Sequence, residues 1–274
     1  MNMRFVSSYP CRNMITSANN PKIKEIKQLQ KKARLRQEKG LFLVEGIRMV
    51  RETPKERILE VYVSETFRRE HSEWLERWGV PCEILEDRLF ESVCDTKTPQ
   101  GILCLVKRQE WTLDGMLQQE NPLFLLIENL QDPGNLGTIF RTGEAAGVSG
   151  IIMSRETVDI YNPKTVRSTM GAIYRVPFFY TDSLEETIKR LKASDICIYA
   201  AHLKGEKFYS GFSYDKGTAF LIGNEGNGLS DSIAGQADEY LKIPMEGQAE
   251  SLNAAVAAAI LMYEAHRQRN SGKN

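Results

Sequence analysis

The chain has 274 residues, enough for one large domain or two ordinary ones, and its 42% hydrophobic and 26% charged residues are typical of a globular protein. No apolar run approaches the roughly 18 residues that a membrane-spanning helix needs, and residues 1–13 lack the apolar core of a signal peptide. The formal net charge is zero, but residues 1–120 hold 21 basic and 18 acidic residues against 15 and 18 in the remainder. Total charge therefore neither favours nor excludes a nucleic-acid partner, and local charge must decide.

The cysteines and histidines give no sign of a metal site or a disulfide framework. There are five cysteines, an odd number, and none is in a Cys-x-x-Cys pair: Cys11, Cys82, Cys94, Cys104 and Cys197. That pattern fits a reducing compartment such as the cytoplasm. The three histidines (His71, His202, His266) do not have the spacing of metal ligands, so no metal is expected.

A basic helix is predicted after Asn20, which is followed by Pro21 as an N-cap and first helical residue. Its apolar residues recur at helical spacing: Ile23, Ile26, Leu29 and Ala33. Residues 20–39 also hold eight basic residues and two acidic ones. Such a run is either a solvated helix face, the commoner case, or an electrostatic contact surface for phosphates. On the second interpretation the candidate RNA-binding residues are Lys31, Lys32, Arg34 and Arg36.

The rest of the first half reads as a small α/β unit. Strands are predicted at 41–44, 59–63, 83–85 and 101–106, with helices that include 47–50 and 65–78. We therefore expect an α/β domain over residues 14–107, preceded by a disordered extension at 1–13. Residues 108–120 are polar without an apolar period, which predicts a linker.

From residue 121 strands and helices alternate, which predicts a mostly parallel sheet covered on both faces. The predicted strands are 123–127, 150–153, 196–200, 219–222 and 240–243, and the predicted helices are 136–146, 163–170, 184–192 and 250–269. Residues 121–274 thus form the second predicted domain.

Three segments at predicted strand ends carry candidate functional residues. Residues 129–141 (NLQDPGNLGTIFR) contain a Pro-Gly turn before a helix, where Asn135 is a candidate cap and Arg141 a candidate surface cation. Residues 221–230 (LIGNEGNGLS) hold three glycines around Glu225, which indicates a close backbone approach. The third segment joins Ile243 to residues 250–262, where Ser251 and Asn253 are candidate N-terminal residues of an alanine-rich helix. Taken singly, each segment also fits an ordinary turn or helix start.

Together, and in this order, the three segments resemble nearly residue for residue the signature motifs of the SpoU (TrmH-like) family of the SPOUT superfamily. The resemblance covers about residues 121–269. Residues 17–50, with NPKIKEIKQLQ and FLVEGIRMV, resemble a substrate-binding domain often attached to these enzymes and related to ribosomal proteins that bind kinked RNA.

The resemblance implies an RNA 2′-O-ribose methyltransferase that uses S-adenosylmethionine, works as a homodimer in the cytoplasm and has a trefoil knot in its C-terminal domain. It implies that the backbone of Gly223, Ile243 and Leu252 lines the cofactor pocket. The reacting end would be formed by Asn135, Arg141, Glu225, Ser251 and Asn253.

The chemistry suits these residue types, because in-line methyl transfer depends on alignment of the reacting atoms. An arginine titrates above ~12, so Arg141 is better suited to hold a phosphate and stabilise an alkoxide than to act as a base. Glu225 would orient Arg141 or accept the proton.

Other functions remain open at this point. A non-catalytic RNA-binding or ribosome-assembly factor would keep the fold without activity, and a related enzyme could methylate a base. A dinucleotide-binding oxidoreductase is disfavoured because the chain lacks the Gly-x-Gly-x-x-Gly fingerprint. Ribosomal RNA is favoured over transfer RNA as the substrate, by analogy with proteins that carry this type of N-terminal domain.

Overall fold

The computed structural model describes residues 11–202, 204–248 and 251–271, with side chains from Met14 onward. The chain divides into two compact units. The first runs to Arg108 and also includes Tyr161–Arg167, and the second comprises Gln109–Ile160 and the chain from Ser168 onward. Within the first unit, the ring of Tyr161 lies 4.7 Å from that of the buried Phe42.

A mixed five-stranded sheet forms the centre of the first unit, in the order β1-β4-β3-β5-β2. Its strands are β1 (Cys11–Ile15), β2 (Leu41–Glu45), β3 (Ile58–Ser64), β4 (Cys82–Leu85) and β5 (Ile102–Lys107). Its helices are α1 (Pro21–Lys31), α2 (Ala33–Lys39), α3 (Ile47–Glu52), α4 (Glu65–Glu70), α5 (Ser72–Trp78) and α6 (Asp87–Val93). The four predicted strands are confirmed. The predicted disordered extension is wrong at residues 11–13, which belong to β1, and residues 1–10 lie outside the described part of the chain.

The predicted basic helix is confirmed at its start and interrupted near its end. Asn20 caps α1 by accepting a hydrogen bond from the amide of Lys22 at 2.9 Å, and Pro21 is the first helical residue. Ile23, Ile26 and Leu29 are buried as predicted, but the residue at 33 is exposed because Lys32 has an extended backbone and α2 starts anew.

Arg36 stabilises this interruption. Arg36 is 3% exposed, and its guanidinium donates to the carbonyls of Leu29 at 2.5 Å and Gln30 at 3.0 Å, which a continuous helix would have bonded internally. The predicted RNA-binding role of Arg36 is therefore wrong, since its charged group is directed into the protein.

Among the described thiols, Cys94, Cys104 and Cys197 are free. Burial raises the pKa of the Cys94 and Cys104 thiols, which leaves both protonated and unreactive at neutral pH. Cys82, at the start of β4, takes part in a disulfide that the odd cysteine count did not predict.

The second unit contains a seven-stranded sheet in which every pairing is parallel, as predicted. Its strands are β6 (Leu123–Ile127), β7 (Gly150–Ser154), β8 (Phe178–Thr181), β9 (Cys197–Ala201), β10 (Lys207–Phe208), β11 (Thr218–Ile222) and β12 (Glu239–Lys242). The order is β10-β12-β9-β11-β6-β7-β8. The helices after residue 108 are α7 (Leu113–Met116), α8 (Pro133–Ala146), α9 (Pro163–Thr169), α10 (Leu184–Ala193), α11 (Asp231–Ala234) and α12 (Ala254–Asn270).

Residues 108–120 are not the structureless linker that their polarity predicts. They contain α7, whose Leu113 and Met116 are buried in the core with Leu126 and Leu221. Two apolar residues three positions apart are enough to attach this short helix, although they are too few to form a recognisable period.

The last helix, α12, packs along α8 and is anchored at its C-terminal end by Arg269. The Arg269 guanidinium donates to the carbonyls of Asn121, Tyr214 and Lys216, each at 2.7 Å. Among the described residues, no helix has both the length and the apolar character to cross a membrane. In the same part of the chain, no group of three or more His, Cys, Asp or Glu side chains could hold a metal ion.

Candidate active site

A cavity of about 360 Å³ lies where three adjacent parallel strands end. Ala201, Ile222 and Lys242 are the last residues of β9, β11 and β12, and all three line it. The loops that follow supply much of the wall, including Gly223, Ile243 and Leu252, the three predicted cofactor-binding residues. The carboxyl edge of a parallel sheet is the usual position of a ligand site in α/β proteins.

The glycine-rich loop after β11 folds back on itself. Asn224 and Gly228 form an antiparallel bridge, with the two amide–carbonyl hydrogen bonds at 3.0 and 2.9 Å. A Cβ on Gly223 would lie 2.2 Å from the carbonyl carbon of Gly228 and 2.3 Å from the amide of Leu229. The close backbone approach predicted from the glycines is therefore an approach of the loop to itself.

Glu225 connects this loop to the start of α8. Its carboxylate accepts hydrogen bonds from the amides of Gln131 at 3.0 Å and Asp132 at 2.9 Å, and from Asn135 Nδ2 at 3.0 Å. Partial burial acts to raise the pKa of Glu225, but these hydrogen bonds together hold it below its ordinary value. Glu225 is thus an ionised acceptor whose oxygens already have donors.

The chain of side chains continues from Asn135 to the last helix. Asn253 Nδ2 donates to Asn135 Oδ1 at 2.9 Å, so the three motif segments are connected in the order Glu225, Asn135, Asn253. Asn253 Oδ1 meanwhile caps α12 by accepting from the amides of Ala255 and Val256. Both ends of each amide are therefore bonded: Asn135 donates to Glu225 and accepts from Asn253, whereas Asn253 donates to Asn135 and caps α12, which fixes both side-chain orientations.

Asn135 is not the cap of α8, although its position before an apolar run suggested that role. The cap is Asp132, whose Oδ1 accepts from the Asn135 amide at 2.8 Å, and the helix begins at Pro133. This leaves the side chain of Asn135 available to bond Glu225 and Asn253.

Of the two remaining predicted site residues, Ser251 lies at the cavity and Arg141 does not. Ser251 is exposed and lines the cavity. Arg141 is exposed on α8, does not line the cavity, and makes no hydrogen bond or ion pair with any residue that the structure describes. The predicted Glu225–Arg141 contact is therefore not formed within this chain.

The predicted RNA-binding residues lie in the first unit, where Lys31, Lys32 and Arg34 are exposed. The basic segment that contains them is partly neutralised: Arg34 pairs with Glu38 at 2.7 Å, Lys39 with Glu25 at 2.5 Å, and Lys22 with both Glu60 and Glu83.

The family model described as the SpoU rRNA methylase family matches residues 122–263, about half of the chain and all three motif segments. The chain belongs to the SpoU rRNA methylase family. A second model, the MRM3-like substrate binding domain, matches residues 20–104.

Relatives and solved structures of the SpoU family match over nearly the full length. The chain is 36% identical over 251 residues to the 23S rRNA (guanosine(2553)-2′-O)-methyltransferase RlmP of Bacillus subtilis, covering 91% of this chain and 97% of that protein. The SpoU methyltransferase AviRb from Streptomyces viridochromogenes, solved with AdoMet, has a TM-score of 0.83 at 29% identity, covering 92% and 99%. An AdoMet-bound rRNA methyltransferase from Sinorhizobium meliloti has a TM-score of 0.81 at 29% identity, covering 94% and 98%.

Several residues that shape the SpoU site were missed by the sequence analysis. Glu128, 8% exposed at the end of β6, accepts from both the amide and the hydroxyl of Ser230 at 2.8 and 2.6 Å, which closes the far end of the glycine-rich loop. Asn129, with φ of 54°, accepts at its carbonyl from Asn224 Nδ2 at 2.8 Å. Charged and amide residues directly after a buried strand are a usable signal of a site, but the partners of Glu128 and Asn129 are 102 and 95 residues away, and no local pattern identifies them.

Proposed function

We propose that this protein transfers a methyl group from S-adenosylmethionine to a ribose 2′-hydroxyl of ribosomal RNA. The observation that carries the proposal is the hydrogen-bonded chain Glu225–Asn135–Asn253 beside the cavity at the carboxyl edge of the sheet. Membership of the SpoU rRNA methylase family and the name of the Bacillus subtilis relative support it. Methyl transfer is assigned to residues 121–274 and substrate binding to residues 14–107.

The residues around the cavity fit this cofactor. The volume is within the range of small-molecule sites, and the wall combines apolar side chains such as Leu229 and Met245 with backbone groups of the three loops. Gly223, Ile243 and Leu252 would hold the cofactor. When bound, S-adenosylmethionine supplies a methyl group activated by its attachment to a sulfonium.

The site residues would then act by alignment and by hydrogen bonding. Glu225 is a positioning residue, because a carboxylate with a lowered pKa and three donors is a poor proton acceptor. Asn135, Asn253 and Ser251 would orient the ribose hydroxyl, and Arg141 would hold an adjacent phosphate and stabilise the developing alkoxide.

We propose a two-fold homodimer that pairs through α12 and the neighbouring α8. Val256 and Tyr263, seven residues apart on α12, are each 48% exposed and therefore form an uncovered apolar stripe along one side of the helix. Arg141 is exposed on the helix packed beside it. A self-complementary contact of this kind would bury the stripe and place Arg141 near the interface.

Two further features follow from family membership and are proposed on that basis. The parallel sheet of the second unit is expected to be threaded as a trefoil knot, a topology that sequence periodicity alone does not predict. The protein is expected to work in the cytoplasm, where ribosomal RNA is accessible.

We also propose that three exposed basic side chains of the first unit attract RNA phosphates: Lys31, Lys32 and Arg34. The ion pairs of the same segment reduce the strength of this attraction.

The test is an in vitro methylation assay with full-length protein, labelled S-adenosylmethionine, and either ribosomal RNA or transfer RNA. The expected product is a 2′-O-methylated nucleoside from ribosomal RNA; label in a base or only in transfer RNA would contradict the proposal. Asn253→Asp is the matched variant, because it keeps the oxygen that caps α12 and loses the donor to Asn135. It should melt like the wild type and turn over more slowly.

A further inference from the structure

Two of the three tryptophans of the chain lie on α5 in the first unit and stack on each other. The rings of Trp74 and Trp78 have centroids 5.0 Å apart and an interplanar angle of 21°. The Arg51 guanidinium lies over Trp74 at 5.5 Å from the ring centroid, and Phe67 meets the edge of that ring at 6.2 Å. Trp74 therefore contacts both a second indole and a guanidinium, and we call Arg51, Trp74 and Trp78 together the indole platform.

The indole platform is only partly covered by protein. Both tryptophans are half-buried, whereas Leu75 between them is 2% exposed and attaches α5 to the unit. Neither indole N–H makes a hydrogen bond to a described residue, and neither is buried without a partner, so both reach solvent. Burial of Leu75 explains why α5 is held in place, but it does not explain two adjacent indoles at the surface.

Basic side chains lie beside the platform. Within the described part of the chain, Arg51, Lys55 and Arg77 are in no ion pair; Lys55 Nζ donates to the Trp78 carbonyl at 2.7 Å, and Arg77 Nε donates to the Glu73 carbonyl at 3.3 Å. The acidic residues of α5, Glu73 and Glu76, are about 100° or more around the helix from either indole, at roughly 100° per residue. The aromatic surface thus has beside it cations whose charge no described ion pair neutralises, which favours contact with phosphate.

We infer that the indole platform is an RNA-contacting surface that stacks an unpaired base of the substrate while the neighbouring arginines contact its backbone. Base stacking on aromatic rings, combined with basic side chains, is how proteins commonly hold single-stranded RNA. This inference rests on the proposed function and adds the place and chemical nature of the substrate contact. It also gives the first unit a binding surface distinct from the α1–α2 segment, where Lys22, Arg34 and Lys39 are already in ion pairs.

The inference can be tested by tryptophan fluorescence, because Trp111 is the only other tryptophan. Its indole N–H is buried without a partner, so Trp111→Phe should be mild and leaves emission from Trp74 and Trp78 alone. The probes are oligouridylate and an RNA duplex of equal length. Single-stranded RNA should quench this emission and the duplex should not, since paired bases have no free face. Emission unchanged by oligouridylate would overturn the inference.

A binding series then separates the platform from general electrostatics. Trp78→Ala should weaken oligouridylate binding roughly 5- to 150-fold, the equivalent of ~1–3 kcal/mol per stacked base, and Trp78→Phe should restore part of it. Lys31→Ala should lower the salt dependence without changing the quenching. Thermal melting checks that each variant is folded. An unchanged affinity in a folded Trp78→Ala protein would show that the pair has a structural role or serves a protein partner.

The methylation assay distinguishes failure of this inference from failure of the proposed function. In Trp78→Ala the KM for ribosomal RNA should rise while the KM for S-adenosylmethionine stays unchanged. A variant with wild-type KM for both substrates would refute the platform and leave the methyltransferase intact. A wild-type protein that methylates no RNA would refute the proposed function, whatever the fluorescence shows.

Discussion

Substitution of Gly223 by alanine should disrupt cofactor binding through the backbone of the glycine-rich loop. The new Cβ would lie 2.2–2.4 Å from three backbone atoms of Gly228 and Leu229, far inside the 3.0 Å that real Cβ contacts respect. An extra methyl group in a packed interior usually lowers the stability of the fold by ~1–3 kcal/mol. Because a backbone neighbour cannot rotate away as a side chain can, we expect a cost near ~3 kcal/mol here. The strain is relieved only if the Asn224–Gly228 bridge opens, which removes one wall of the cavity.

The measurement is the affinity for S-adenosylmethionine by titration calorimetry, with melting temperature as a second readout. A strain of ~3 kcal/mol released by opening the loop corresponds to a roughly 100-fold weaker affinity. Gly226→Ala is the matched control in the same loop, because its Cβ would meet nothing nearer than Asn224 Oδ1 at 3.5 Å, an ordinary contact. If Gly223→Ala binds the cofactor as tightly as Gly226→Ala, the loop does not form the binding wall and the reasoning fails.

Four other predictions concern separate parts of the molecule. Arg141→Ala should lower turnover at least tenfold, which corresponds to a loss of ~1.4 kcal/mol of transition-state stabilisation, while the affinity for the cofactor stays unchanged. Normal turnover would show that Arg141 does not stabilise the developing alkoxide. Sedimentation should give a species of twice the 31.2 kDa chain mass, and Tyr263→Asp should give the monomer; a wild-type monomer at micromolar concentration would contradict the dimer. Because the pKa of Glu225 is lowered, its stabilising effect is present above its ordinary pKa of 4.5 and is lost as the pH falls through the folded-state pKa. On acidification below about pH 5, the melting temperature of Glu225→Gln should therefore fall less steeply than that of the wild type; parallel curves would argue against it. Arg36→Ala should cost ~1–3 kcal/mol in denaturant unfolding, whereas exposed Lys31→Ala should stay within ~0.5 kcal/mol; equal effects would contradict the buried role.

Elements buried on both faces were the easiest to predict from sequence. The apolar run 123–127 became β6 with the predicted bounds, because a strand inside a parallel sheet has no polar face to interrupt its pattern. The strand β8 (Phe178–Thr181), whose two central residues are half-buried, was not predicted. The two-residue β10 at the sheet edge gives no pattern at all.

Where the local sequence pattern predicted a residue's role incorrectly, long-range contacts determine the role that the residue has in the structure. Arg36 looks like any other basic residue of its segment, and only the break between α1 and α2 turns it inward. Asp132 and Asn135 are both good caps, and the choice between them depends on Glu225, 90 residues further along the chain.

The residues of the candidate site were identified by family resemblance, and the structure adds how they are connected. Sequence reasoning grouped Asn135, Glu225 and Asn253 without predicting which contacts which. The hydrogen bonds of Glu225 support a positioning role for it. Arg141 has no hydrogen-bond or ion-pair partner among the residues that the structure describes, so the Glu225–Arg141 contact expected from the sequence is not part of the proposed site. Long-range partners of this kind have no local signature because they meet only after the sheet has formed.

The most direct test of the central claim is a map of ribose 2′-O-methyl groups in total RNA from cells that have this protein and from matched cells that lack it. The proposed function predicts that one or a few ribosomal RNA riboses lose their methyl group when the protein is absent. Methylation should return with the wild-type protein and not with Arg141→Ala. An unchanged ribose map, or the loss of a base methyl group instead, would contradict the assignment of this chain as a ribosomal RNA 2′-O-methyltransferase.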